Sequence, residues 1–205
     1  FGDEAHLFKA KSLTGIMTKL DTCKYRFGLT GTLDGTQTHR LVLEGLFGKA
    51  KYVVTTKELI DNKTLSNLKI NCIVLKYPDE DRQIVKEFDY GTELEFIVTK
   101  KERNIFLRNL VGHCNGNTLC LFQFVEKHGE PLYNIINDKY KDRKVFFVYG
   151  GVSTDTREEI REIVENETDA IIVASYGTFS TGINIRNIDN IVFASPSKSK
   201  IRVLQ

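Results

Sequence analysis

An acidic pair followed by a histidine, at the start of the chain, is the segment best suited to chemistry. Asp3-Glu4-Ala5-His6 follows Phe1-Gly2, which we interpret as the end of a buried strand. At a strand tip, Asp3 could hold Mg²⁺ opposite the phosphates of a nucleotide, and Glu4 could orient and deprotonate an attacking water. The alternative is a surface helix start, since acids favour the first helical turn. Because a strand needs residues before its tip, we expect the chain to be part of a longer protein.

A second segment could respond to that acidic pair. Thr30-Gly31-Thr32 follows a short apolar strand predicted at 26–29, at the distance expected for the next strand of the same sheet. The two hydroxyls could hydrogen-bond back to His6 and so sense the nucleotide state. The alternative is an ordinary strand-to-helix turn, for which these residue types are also favoured.

A third segment is rich in hydroxyls and glycine. Residues 175–184 follow the apolar run 171–174, and a loop at the carboxyl end of such a strand lies where α/β sheets bind ligands. Small residues there let backbone N–H groups approach the phosphates of a nucleotide or of a nucleic-acid strand. Taken alone, the segment is equally compatible with an ordinary surface loop.

The composition is that of a globular protein with one or two domains. The chain has 205 residues, 41% apolar and 27% charged, and a net charge of +2, which tolerates a nucleic-acid partner without arguing for one. No run is long enough to span a membrane, and no signal peptide is visible. The four cysteines form no C-x-x-C pair, which favours reduced, mostly buried thiols in a cytoplasmic protein. A zinc site at His113, Cys114 and Cys120 is rejected because the spacing fits no common ligand pattern.

Short apolar runs alternate with amphipathic helical segments, which predicts α/β layers around largely parallel sheets covered by helices. Strands are predicted at 26–29, 52–54, 70–75, 119–124, 145–149, 170–174 and 191–194, and helices at 40–46, 57–61, 99–112 and 131–140. Two more helices are predicted, one opened by a capping box of Asp155 with Glu158 and one beginning near Ser197. The polar segment 61–67 is the predicted linker, which gives domains 1–66 and 67–205.

In this order and spacing, the segments resemble those of superfamily-2 helicases and translocases of the DEAH-box type. Asp3-Glu4-Ala5-His6 matches motif II, Thr30-Gly31-Thr32 matches motif III, and 175–185 matches motif V. The run 119–124 fits motif IV, Tyr149-Gly150-Gly151 followed by Arg157 resembles the stretch after it, and 198–205 resembles the start of motif VI. The ordered set covers nearly the whole chain and is more specific than any single motif.

The resemblance implies two RecA-like lobes, the first one partial, that bind ATP between them and track a single strand of DNA. It implies an ATP-dependent DNA helicase or translocase acting on branched or recombination intermediates, with ATP and Mg²⁺ as cofactors. Asp3 would bind Mg²⁺ and Glu4 would be the base, while His6, Thr30 and Thr32 would couple hydrolysis to domain movement. By the same resemblance, Gly182 and Asn184 would bind the nucleotide. The residues that would bind the nucleic acid are Gly150, Gly151, Ser175 and Tyr176.

The sequence departs from the family in three places. Asn184 stands where the family usually has Asp, and it lacks the charge to pair an arginine. Neither the phosphate-binding G-x-x-x-x-G-K-[ST] nor the G-R-x-x-R of motif VI occurs in these residues, so we expect them alone not to hydrolyse ATP at a useful rate. An RNA helicase of the same superfamily and a catalytically dead nucleic-acid-binding module stay open as alternatives.

Overall fold

The chain divides into two compact units. The computed structural model describes residues 1–7, 11–31, 37–179 and 185–198. The first unit comprises Phe1–Lys76 and the second begins at Tyr77. The domain boundary predicted after residue 66 lies earlier in the chain than this division. Within the described residues, no helix is long and apolar enough to cross a membrane.

The first unit is mostly helical where it is described. It contains a 3₁₀ turn at Ala5–Leu7 and the helices α1 (Lys11–Thr18), α2 (Gln37–Phe47) and α3 (Thr56–Asp61). Thr55 and Glu58 form a reciprocal capping box at the start of α3. The strand predicted at 26–29 is reduced to one parallel bridge, between Gly2 and Gly28.

The strands predicted at 52–54 and 70–75 are wrong. Both segments are described, and neither is helix or strand. Most of their apolar side chains are exposed, with Val53 at 96% and Val74 at 84% of full accessibility. A strand needs a neighbour to satisfy its backbone groups, and no strand among the described residues pairs with either segment.

Where it is described, the second unit is a four-stranded sheet covered by helices. Its helices are α4 (Asp79–Val85), α5 (Tyr90–Thr99), α6 (Lys101–His113), α7 (Glu130–Lys139), α8 (Thr154–Glu165) and α9 (Tyr176–Phe179), with a π-helix at Val125–Gly129. The strands are β1 (Thr118–Phe122), β2 (Val145–Val148), β3 (Ile171–Ser175) and β4 (Asn190–Phe193). The order is β2-β3-β1-β4 and every pairing is parallel. The predicted α/β architecture is therefore confirmed.

Side chains alternate between the two faces of this sheet, and each face has its own helices. Cys120 and Val173 belong to a cluster with buried residues of α6 and α7. Leu121 and Ile172 belong to a second cluster with Val164 of α8. Continuous apolar strands are thus buried on both faces, as parallel sheets require.

Three local predictions need correction. Helix α8 begins at Thr154 because the Ser153 side chain accepts from the Thr156 N–H at 3.1 Å, so Asp155 is not its cap. The helix predicted from residue 99 is α6, and a separate helix, α5, precedes it. Ser197 and Lys198 are not helical, and the remainder of the predicted last helix lies outside the described residues.

The cysteine prediction is right only in part. Cys120 is fully buried, and burial raises its pKa to about 12. Cys114 is half-buried, whereas Cys23 and Cys72 are exposed. All four are free thiols.

Candidate nucleotide and nucleic-acid sites

A single parallel bridge positions the acidic pair. Gly2 donates to the Phe27 carbonyl at 2.7 Å, and Leu29 donates back to the Gly2 carbonyl at 2.8 Å. Directly after Glu4, the Ala5 N–H donates to the Leu29 carbonyl at 2.8 Å. Glu4 itself has a φ of +48°, a left-handed conformation that is unusual for a residue with a side chain. The bonds on either side hold this turn, and such strain is concentrated at functional positions in proteins.

Asp3 and Glu4 are held differently. Asp3 is exposed, and its Oδ1 accepts from the Glu4 N–H at 2.9 Å. The Glu4 side chain is 47% exposed, and its Oε2 lies 3.2 Å from His6 Nδ1. An exposed carboxylate at this turn fits Mg²⁺, which usually takes one or two carboxylates and completes its shell with phosphates and water. Within the described residues, no group of three His, Cys, Asp or Glu could hold a metal ion alone.

His6 connects the acidic pair to the next segment. It is 1% exposed, and its Nδ1 lies 2.8 Å from the Thr30 hydroxyl. This is the contact expected from the sequence. A carboxylate oxygen can only accept a hydrogen bond, and a hydroxyl oxygen can accept one too. A proton on His6 Nδ1 therefore suits both neighbours, Glu4 Oε2 and the Thr30 hydroxyl oxygen. Thr32, the other hydroxyl of the segment, lies outside the described residues.

Gly28 allows this packing. A Cβ at Gly28 would lie 2.9 Å from the Phe47 ring of α2 and 3.1 Å from the Ala5 Cβ. The glycine therefore brings α2 and the turn after Asp3-Glu4 against the bridged segment. Any larger residue would displace the Phe47 ring.

In the second unit, the candidate residues gather where the parallel strands end, which we call the carboxyl edge of the sheet. Ser175 and Tyr176 lie at the end of β3 and are 9% and 4% exposed. The Ser175 hydroxyl bonds that of Thr178 at 2.7 Å, and the Tyr176 hydroxyl donates to the Ser195 carbonyl at 2.7 Å. Both side chains are thus committed to internal bonds. Gly182 and Asn184 lie outside the described residues.

The glycine pair follows β2, the neighbour of β3, and leaves the same edge. Gly150 and Gly151 are exposed, and the Val152 N–H closes the turn on the Tyr149 carbonyl at 3.0 Å. Arg157 Nε donates to the Val152 carbonyl at 3.0 Å, which ties α8 to this loop. A turn without side chains at an exposed edge can bring backbone N–H groups close to a phosphate.

Sequence reasoning missed a group of buried polar residues at this edge. Asn104, His128 and Ser195 are 7%, 0% and 2% exposed, and the His128 ring bonds the side chains of the other two. Arg103 joins them from α6, donating to the Ala194 carbonyl at 2.7 Å, and burial lowers its pKa. The one available signal was that Ser195 follows the strand predicted at 191–194 as Ser175 follows the strand predicted at 170–174.

The sheet of the second unit identifies the class of fold. A parallel sheet covered by helices on both faces, in this strand arrangement, is an α/β RecA-like fold. No family model matches the chain. The chain is 37% identical, over 206 residues, to a protein of Enterobacteria phage T4 named ATP-dependent DNA helicase uvsW, covering 99% of this chain and 40% of that protein.

A solved structure gives the same result. The crystal structure of T4 UvsW matches with a TM-score of 0.60 and 37% identity, covering 99% of this chain and 39% of that one. The chain is UvsW-like in sequence and in fold, so the resemblance to helicases is confirmed. It spans about two fifths of the length of the relative that it matches.

Proposed function

We propose that this chain is part of an ATP-dependent DNA helicase or translocase, in which ATP hydrolysis drives movement along DNA. The contact between His6 and Thr30, directly behind Asp3 and Glu4, is the observation that carries the proposal. It links a carboxylate pair suited to phosphoryl transfer with a second segment of the same unit. The similarity to UvsW, named as a DNA helicase, supports this interpretation.

Each residue at the turn has a distinct part. Asp3 would hold Mg²⁺, which when bound neutralises charge on the phosphates of ATP. Glu4 would accept the proton of the attacking water, and its tether to His6 orients the carboxylate. His6 would pass the state of Glu4 to Thr30, and Thr32 would share that coupling role.

The remaining assignments concern the second unit. Gly182 and Asn184 are proposed to contact the nucleotide, and Gly150, Gly151, Ser175 and Tyr176 the nucleic acid. Because the Ser175 and Tyr176 side chains are bonded internally, they would act by shaping the backbone that meets the phosphates. Branched or recombination DNA as substrate, a role in DNA repair, and a cytoplasmic location (the host cytoplasm for a phage protein) are further proposals.

The test replaces Glu4 by Gln in the full-length gene product. We expect DNA-stimulated ATP turnover to fall by about 10²- to 10⁴-fold, the usual contribution of a positioned base, while ATP binding is retained. Glu159→Gln, an exposed acid on α8, is the matched control and should leave turnover unchanged. Full turnover in Glu4→Gln would refute the assignment of the base.

The same assay separates the alternatives. Stimulation by single-stranded DNA supports the DNA helicase, whereas stimulation by RNA alone would indicate the RNA helicase. Nucleic-acid binding without turnover in the wild type would indicate a binding module. Each outcome is read against the protein without nucleic acid.

A further inference from the structure

Ser195 contacts three separate segments at the carboxyl edge. Its Oγ lies 3.0 Å from the Gln123 nitrogen, in the loop after β1, and 2.9 Å from His128 Nδ1 in the π-helix. Its carbonyl accepts from the Tyr176 hydroxyl, in the turn after β3. One buried residue after β4 therefore fixes the chain where β1 and β3 end.

The direction of every hydrogen bond in this network can be assigned. Asn104 Nδ2 donates to the Val98 carbonyl at 2.9 Å, which orients the amide and leaves Oδ1 as an acceptor for His128 Nε2 at 3.2 Å. His128 must then carry its proton on Nε2. Since the Gln123 N–H can only donate, the Ser195 hydroxyl accepts from it and donates to His128 Nδ1.

The π-helix delivers His128 to this position. The Gly129 N–H bonds the Phe124 carbonyl at 2.8 Å, the wide turn that defines the element. A Cβ at Gly129 would lie 2.4 Å from the buried Phe122 ring, so only glycine fits there. Such π-turns are rare and are frequent at functional sites.

The surroundings favour the neutral ring. His128 is fully buried, and burial together with the nearby Arg103 guanidinium lowers its pKa to about 4. A doubly protonated ring would present a donor to Ser195 in place of an acceptor. The assigned donation from Ser195 to Nδ1 therefore belongs to the neutral ring with its proton on Nε2.

We propose that Asn104, His128 and Ser195 are positioning residues, which hold the loops after β1, β3 and β4 in the arrangement that binds nucleic-acid phosphates. The proposal rests on the function proposed above, because the end of β3 and the turn after it carry two of the assigned nucleic-acid contacts, Ser175 and Tyr176. The three residues would not touch the strand themselves. They act through the Gln123 backbone and the Tyr176 hydroxyl.

The test uses the full-length protein with three variants and two readouts. Ser195→Ala removes the hydroxyl, Ser195→Thr keeps it, and Ser153→Ala removes a hydroxyl that caps α8 away from the network. Binding is measured by the anisotropy of a labelled oligothymidylate. The ring nitrogens of His128 and the amide of Gln123 are observed by NMR.

We expect Ser195→Ala to weaken binding by about tenfold, which corresponds to about 1.4 kcal/mol. Ser195→Thr should restore binding, and Ser153→Ala should bind as the wild type does. The Gln123 amide should exchange faster in Ser195→Ala alone, and His128 should show a protonated Nε2 and an unprotonated Nδ1.

Two results would overturn the proposal. One is a folded Ser195→Ala chain that binds like the wild type, and the other is a His128 that carries its proton on Nδ1. A full-length wild-type protein that does not bind the oligonucleotide would instead refute the nucleic-acid function, and with it the binding role of the network. The ring-nitrogen signals would still decide the hydrogen-bond directions, so the two failures are distinguishable.

Discussion

Acidification should destabilise the second unit through His128. In the folded chain its pKa is about 4, whereas an unfolded histidine titrates near its ordinary value of 6.5. Between these values the unfolded state binds a proton that the folded state does not. The free energy of unfolding is therefore complete above about pH 6.5 and falls as the pH decreases towards 4.

The magnitude follows from the two pKa values. Their difference is 6.5 − 4 = 2.5, and each pH unit is worth about 1.4 kcal/mol, so the loss approaches about 3 kcal/mol by pH 4. That is a large fraction of the stability of an ordinary domain. Glu158 and Asp89, whose pKa values are lowered by their hydrogen bonds, add losses at still lower pH.

Hydrogen exchange of the β1 and β3 amides measures this loss, because these buried strands open only with the unit as a whole. His128→Gln is the comparison, since glutamine keeps an acceptor and a donor but does not titrate. The variant has the same carboxylates as the wild type. The difference between the two free energies of unfolding at each pH is therefore the contribution of His128. Equal slopes of stability against pH in the two proteins, between pH 6.5 and 4.5, would refute the reasoning.

Two further predictions concern other hydrogen bonds. Asn117→Ala should lower the free energy of unfolding by about 3 kcal/mol or more. The reason is that the buried Asn117 amide binds the Ala170 N–H and three carbonyls at the start of the sheet. A chemical-denaturation midpoint like that of the wild type would contradict this prediction. Thr30→Val keeps the shape of the side chain but removes the hydroxyl that contacts His6. In the full-length protein, DNA stimulation of ATP turnover should therefore fall about fivefold while ATP binding is kept. Unchanged stimulation would refute the coupling role of Thr30.

Local pattern was a good guide where burial alone decides structure. Strands β1 and β3 were predicted because their apolar runs must lie inside a covered parallel sheet. The same rule failed at 52–54 and 70–75, where equally apolar residues have no partner strand among the described residues. Strand formation depends on a distant neighbour, which composition does not reveal.

Helix caps and buried hydrogen-bond networks also depend on contacts that local sequence does not reveal. Asp155 with Glu158 satisfies the spacing of a capping box, yet Ser153 two residues earlier makes the bond. The contact between His6 and Thr30 was predictable because both follow neighbouring parallel segments. The bond between His128 and Ser195 was not, since the residues are 67 positions apart and meet through a π-turn that no sequence pattern indicated.

The bonding at the carboxyl edge also constrains how nucleic acid could be recognised there. The Ser175 and Tyr176 side chains are occupied within the protein, and Gly150 and Gly151 have none. These four residues can therefore offer a ligand mainly backbone N–H groups, which can bind phosphate oxygens. Phosphate contacts fix the register of a strand but carry no base information. Such contacts suit binding that is independent of base sequence, and the buried Asn104–His128–Ser195 network fixes the loops after β1, β3 and β4 beside them.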